Sequence, residues 1–263
     1  MELLSLAEVR KVMSRAMHTP LTNHEGAVGV EMAAELKLVQ PELKVILIHS
    51  RDLLLSSEPL SDEFKQQTLA MLRRTGVEVI VGQRVNDVSE SHPDDPTKKT
   101  IKLSDGTEVC VSEVIKAVSR PTSTASYLPP DVLDDEGLIP ITPELRFHAG
   151  PNAEVHFAIG DLVARAGIKR CGGALYTGGL AAQNIRQHIL FSKGLVREPE
   201  YVQYPEYPPA IAVAVGDDAI SYSSEQGVAS GKAVMDHFFQ NDLGLKMIWD
   251  YLQLGKPPGK DGE

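Results

Sequence analysis

Residues 22–36, TNHEGAVGVEMAAEL, decide how the rest of the chain is read. A dinucleotide-binding turn is written G-x-G-x-x-G. A buried strand feeds it, its glycines let backbone approach a pyrophosphate, and a helix opens from it. Gly26 and Gly29 hold the last two glycine places, but His24 stands in the first. The residues ahead, MHTPLTNH (17–24), are polar and include Pro20, which has no N–H to give a central ladder. They are not expected to form the buried strand that such a turn requires. Gly-x-x-Gly alone is common at helix starts, so its weight depends on the residues C-terminal to it.

Those residues have α/β texture. Val30, Met32, Ala33, Ala34, Leu36 and Leu38 predict a helix over 26–39, which Pro41 ends. Val45-Ile46-Leu47-Ile48 is wholly apolar and branched, as in a parallel strand buried on both faces. After the loop HSRDLLLSSEPLS, a helix is predicted from Ser61 to Arg74. Ser61 is its N-cap, Asp62 and Glu63 lie in the first turn, and Arg73 and Arg74 lie in the last. VEVIVG (77–82) reads as the next strand, and TIKLSDGTEVCV (100–111) as a hairpin turning at Asp105-Gly106. A further strand is expected at 113–118. SRPTSTASYLPP (119–130) then leads out of this first domain.

Beyond it, AEVHFAIGD (153–161) reads as a strand and ALYTGGLAAQNIRQHILF (174–191) as a helix of small residues. A Pro/Tyr-rich linker (197–209) leads to a last α/β segment. The expected organisation is therefore 1–118, 119–197 and 198–263.

Composition narrows the function. A net charge of −10 and a pI near 5.3 argue against non-specific nucleic-acid binding. No apolar run reaches transmembrane length. The N-terminus is amphipathic rather than signal-like, and residue 2 is Glu, which excludes N-myristoylation of this chain as it stands. Cys110 and Cys171 make neither a CxxC motif nor a disulfide framework, which suits a reducing compartment such as the cytoplasm. The eight histidines show no paired ligand spacing, so no metal site is expected.

Two places carry chemistry. Past VILI, the ribose-selecting position holds His49, Ser50 and Arg51 rather than an acid. An acid there binds the ribose hydroxyls of NAD, whereas Arg and Ser suit a 2′-phosphate, which leans toward tolerance of NADPH. The second place is AIGD: Gly160 permits close backbone approach, and Asp161 can accept hydrogen bonds from a ribityl or ribose hydroxyl. The small residues after it could let a helix lie against a flat ring. The plainer reading of the same residues is a strand, a turn and a helix capped by Asp161.

The ordered series GAVGVEMAAELK, VILIHSRDLLL, FKQQTLAMLRRTGVEVIVGQRV, TIKLSDGTEV and HFAIGDLV…AAQNI resembles flavoproteins with two dinucleotide-binding domains. The similarity covers roughly residues 1 to 255. It is nearest the apoptosis-inducing-factor-like group that includes ferroptosis suppressor protein, with type II NADH dehydrogenases more distant. The resemblance implies FAD and NAD(P)H as cofactors, an NAD(P)H domain with an antiparallel meander, and the C-terminal part of an FAD domain. By position it implies that Gly26 and Gly29 hold the nucleotide pyrophosphate and that Glu31 lies near the nicotinamide. It sets His49, Ser50 and Arg51 around the adenosine ribose. Ala117-Val118-Ser119 takes the place of the family's A-T-G. Gly160 and Asp161 would contact FAD, and the helix near Ala174 would approach its ring. No side chain is assigned as acid or base. Electrons would pass to a quinone or another small acceptor. The family's disulfide reductases need a cysteine pair, which disfavours that chemistry here.

Three features depart from the family. No first glycine turn, with its βαβ unit of about thirty residues, precedes residue 26, so the N-terminal FAD-binding unit is expected to be missing. The strand before Gly26 is atypical, and Ser119 replaces a glycine. The alternative is thus a truncated nucleotide-binding module without redox turnover. In the C-terminal stretch, Phe238, Phe239, Met247, Ile248, Trp249, Tyr251 and Leu252 are expected in a core or domain interface. The second expectation for them is a peripheral membrane contact or a homodimer patch.

Overall fold

The computed structural model describes residues 20–23, 26–89, 95, 97–117, 123–165, 168–205 and 208–255. Contacts divide them into two units. Residues up to 117 group with those from Ala210 onward, and the second unit runs between them.

The first unit is built on a parallel sheet. Its strands are β1 (Pro20–Asn23), β2 (Ile46–Ile48), β3 (Glu78–Ile80) and β7 (Glu113–Lys116), in the order β3-β2-β1-β7. Helices α1 (Ala27–Val39) and α2 (Asp62–Arg74) make the crossovers from β1 to β2 and from β2 to β3. The expected helices and strands of this region are therefore present, and one expectation is corrected. PLTN does form a strand, and it lies in the middle of the sheet, between β2 and β7. Pro20 is tolerated because it is the first strand residue, opposite Glu113. A missing N–H interrupts nothing there, and the ladder runs on through Leu21, Thr22 and Asn23.

Local chemistry fixes α2. Ser61 Oγ accepts a hydrogen bond from the Phe64 amide at 3.3 Å, as an N-cap should. Phe64 and Leu72 face inward with no exposure. A meander of β4 (Val85–Ser89), β5 (Lys99–Leu103) and β6 (Glu108–Val111) leaves the sheet before β7. Its hairpin turns at Gly106, whose φ of +88° is one a glycine adopts without strain. Ile101, Leu103 and Val111 pack with Ile46 and Ile48 in one apolar core.

The C-terminal segment completes this unit. Strands β8 (Ala210–Val215), β9 (Asp218–Ser223) and β10 (Gly227–Gly231) form an antiparallel sheet packed on α1. The Phe64 ring meets Tyr222 of β9 edge-on, with centroids 6.1 Å apart. Two seven-residue helices end the described chain, α4 (Lys232–Phe238) and α5 (Leu245–Tyr251). Here the core expectation is corrected. Phe238, Met247, Trp249, Tyr251 and Leu252 are exposed, and only Met235 of the two helices is buried. Helices of two turns joined through a left-handed Gly244 present little of their surface inward. Phe239 alone of the aromatic pair packs against Ala214, Ala219 and Met235.

The second unit is irregular apart from α3 (Cys171–Ser192). The strand expected at AEVHFAIGD is absent. Residues 153–155 and 160–162 are single 3-10 turns, and Phe157 makes only an isolated bridge to Arg146. Residues 145–147 run antiparallel beside it, with Phe147 N donating to His156 O (3.0 Å) and Ala158 N to Leu145 O (3.0 Å), but the pairing stops at that one bridge and never extends into a ladder; Val155 and Ile159 remain exposed. Buried Asn184 organises the unit instead. Its Nδ2 donates to Glu144 O (2.9 Å) and Val202 O (2.8 Å), while its Oδ1 accepts from the Val202 amide (2.7 Å).

Candidate functional site

The strand order creates the first candidate site. From β1 the chain crosses through α1 to β2 on one side, while β7 flanks β1 on the other. The carboxyl end of β1 is therefore a topological switch point, where open α/β sheets bind their ligands. Gly26 lies just past it, extended at φ −136°, as the N-cap of α1. Having no side chain, Gly26 cannot cap the first turn itself, and the amides there carry the positive end of the helix dipole. Gly29 is buried within that turn. The pair thus opens a helix whose first-turn amides offer a partial positive charge, a setting that suits an anion.

The remaining nucleotide residues separate. Glu31 is half-buried, and its Oε1 accepts from the Ala214 amide of β8 at 3.3 Å, so the carboxylate serves the C-terminal sheet. His49 is 1 % exposed, with Nε2 3.3 Å from Ser56 Oγ. Ser50 is half-buried and Arg51 exposed. Two backbone bonds fix this loop to the residues after β3: Gly82 N to Arg51 O (3.0 Å) and Gln83 N to His49 O (3.1 Å).

The second candidate site lies in the irregular unit. Gly160 has φ +72°, and a Cβ there would stand 3.5 Å from the Ala174 methyl, so these two predicted residues do meet. Asp161 is exposed beside them. A cavity of about 60 Å³ adjoins Gly160, Asp161, Arg165, Lys169, Ala174 and Tyr204. Lys169, which no sequence motif marks, donates its ammonium to Asp161 O (2.8 Å) and Val163 O (3.1 Å), pinning the turn. Arg165 stacks over Tyr204 at 3.9 Å. No spacing rule finds either residue, because both act through backbone carbonyls or a ring distant in sequence. Glycine turn, small helix start and surrounding cations suit one edge of a flavin, while the cavity itself is smaller than the ring system. Ser119 lies outside the described residues.

Cys110 and Cys171 are free and exposed. Among the described residues, no group of three His, Cys, Asp or Glu could hold a metal, and no helix is long and apolar enough to cross a membrane.

Comparison with known proteins gives these sites a context. The profile of the pyridine nucleotide-disulphide oxidoreductase family matches residues 25–178, which include both glycine turns. Oxidoreductase OXR1 of Ajellomyces capsulatus is 44% identical over 89% of this chain and 51% of its own length. Type II NADH:quinone oxidoreductase Ndh of Mycobacterium tuberculosis is 30% identical over 66% of this chain and 40% of its own. The chain thus spans about half the length of these relatives or less. An NAD-dependent persulfide reductase from A. fulgidus shares the fold, with a TM-score of 0.62 over 83% of this chain and 38% of that one, at 19% identity.

Proposed function

Since the chain belongs to the pyridine nucleotide-disulphide oxidoreductase family, whose cofactors are FAD and NAD(P)H, we propose that it takes part in FAD-dependent oxidation of NAD(P)H with a quinone-like final acceptor. The observation that carries this reading is the Gly26–Gly29 turn opening α1 at the switch point of the parallel sheet. The helix amides hold the pyrophosphate, and the loop at 49–51 lies along the adenosine end. In the second unit, Lys169 holds the Gly160–Leu162 turn so that Asp161 is presented at its surface, where it would accept a hydrogen bond from a flavin hydroxyl. A flavin held there would supply the redox chemistry of hydride transfer, while the protein would supply binding and orientation. A quinone acceptor is supported by the relative that bears it in its name. The exposed Leu245, Met247, Trp249 and Tyr251 suit a peripheral membrane surface or a second copy of the chain, where a lipid-dissolved acceptor would be met.

Purified protein supplied with FAD should show flavin absorbance near ~450 nm that bleaches on adding NADH or NADPH. The second reading is a nucleotide-binding module without turnover, favoured by the small size of the cavity beside Gly160. Protein that binds nucleotide yet stays colourless after incubation with FAD would establish that reading and remove the first.

A further inference from the structure

We propose that the loop after β2 selects a nucleotide bearing a 2′-phosphate, so that NADPH is preferred over NADH, and that Arg51 is the residue that reads the phosphate. This rests on the proposed binding of nucleotide at the Gly26–Gly29 turn and deepens it. In a βαβ unit the adenosine ribose lies at the carboxyl end of the second strand. A carboxylate there grips the two free hydroxyls and repels a phosphate, whereas a guanidinium pairs with a phosphate through two parallel hydrogen bonds.

Four observations support Arg51. First, no acid immediately follows β2: His49 comes next, and its ring is 1 % exposed and turned to Ser56, so it packs the loop rather than facing a ligand. Second, the chain then rises to the surface, with Ser50 half-buried and Arg51 exposed. Third, the bonds from Gly82 N and Gln83 N fasten the loop backbone at Arg51 and His49, so the Arg51 side chain projects from a held backbone. Fourth, the adjacent acid, Asp52, rests over Gly82: a Cβ at Gly82 would lie 3.0 Å from Asp52 Oδ1. The carboxylate therefore sits on the β3 side of the loop. A chain of net charge −10 also repels a doubly charged phosphate in general, which makes a local guanidinium the decisive group.

Calorimetric titration of the purified chain tests this with four probes: NADPH, NADH, 2′,5′-ADP and 5′-AMP. The two short nucleotides isolate the adenosine end. We expect 2′,5′-ADP to bind about tenfold or more tightly than 5′-AMP, and NADPH more tightly than NADH. Arg51→Ala should abolish most of the difference, leave 5′-AMP affinity unchanged and preserve the circular-dichroism melt of this exposed position. Raising ionic strength should shrink the preference in the parent chain. Equal affinities in the parent chain, or an Arg51→Ala loss shared equally by 5′-AMP, would overturn the proposal. So would an Asp52→Ala variant that loses 5′-AMP while Arg51→Ala changes nothing, for then the acid reads the ribose. Failure of all four probes to bind rejects nucleotide binding itself, which is a distinct result.

Discussion

The two units reach stability by different means. In the first, an interior strand of the parallel sheet is buried on both faces: Ile46, Leu47 and Ile48 of β2 are each 2 % exposed or less. Its site comes from topology: a strand end, a glycine and a helix start brought together by one βαβ crossover. In the second, no ladder exists among the described residues. Isolated bridges, 3-10 turns and the three bonds of Asn184 position the Gly160–Ala174 contact. Apolar side chains such as Tyr176, Ile185, Ile189 and Phe191 remain on the outside of its one long helix. A nucleotide site made by a self-contained sheet can act alone; a flavin edge made by loops and one helix has less to hold it. The two proposed sites, one for nucleotide and one for flavin, are therefore expected to act independently of each other.

Mutations can break this contrast. The largest effect is expected from Phe64→Ala, which empties a fully buried site joining α2 to β9. Truncations of this kind cost about 3–5 kcal/mol. Hydrogen exchange should show protection lost through the first unit while amides around Asn184 keep theirs; equal loss in both would show one cooperative block. A smaller effect, about 2–4 kcal/mol, is expected from Asn184→Ala, because three backbone groups lose partners at about 1 kcal/mol each, with a penalty for those left buried. Here the exchange pattern should reverse, and nucleotide affinity should remain intact. Nucleotide affinity falling alongside protection would refute the separation.

Sequence patterns reveal the first unit more fully than the second, and the reason is physical. Helices α1 and α2, strand β2 and the 100–111 hairpin are set by local periodicity, capping and turn chemistry, all of which are written within a few residues. Gly26 and Gly29 can be placed for the same reason. Strand β1 escapes sequence patterns because its residues look polar; its position comes from pairing with β2 and β7, a non-local fact. AEVHFAIGD fails in the opposite sense: its residues favour a strand, but its pairing with residues 145–147 amounts to a single bridge. The exposed residues of α4 and α5 mislead because an apolar cluster signals burial without saying against what. The bond from the Ala214 amide to Glu31 joins positions 183 apart in sequence, beyond any spacing rule.

The smallest expected effect concerns how the edge of the central sheet is tied to the meander. Glu113, the first residue of β7, accepts from the Val114 amide at 3.0 Å and from Lys99 Nζ of β5 at 3.3 Å. The amide bond first, and the ammonium second, hold its carboxyl below the ordinary glutamate value of 4.5. A carboxylate with a lowered folded pKa stabilises the fold above its unfolded pKa, and that contribution disappears as pH falls through the folded value. Glu113→Gln should therefore lower stability at pH 6–7, and the gap to the parent chain should close as the pH drops below about 4.5. The Glu113 side chain is 40 % exposed, so solvent screening keeps the difference to less than about 1 kcal/mol, below the effect of either core substitution. Paired urea melts across that pH range measure it. A gap that persisted undiminished at pH 3 would assign the effect to packing of the side chain rather than to its charge. The tie between β7 and the meander would then be as apolar as the core formed by Ile46, Ile48, Ile101, Leu103 and Val111.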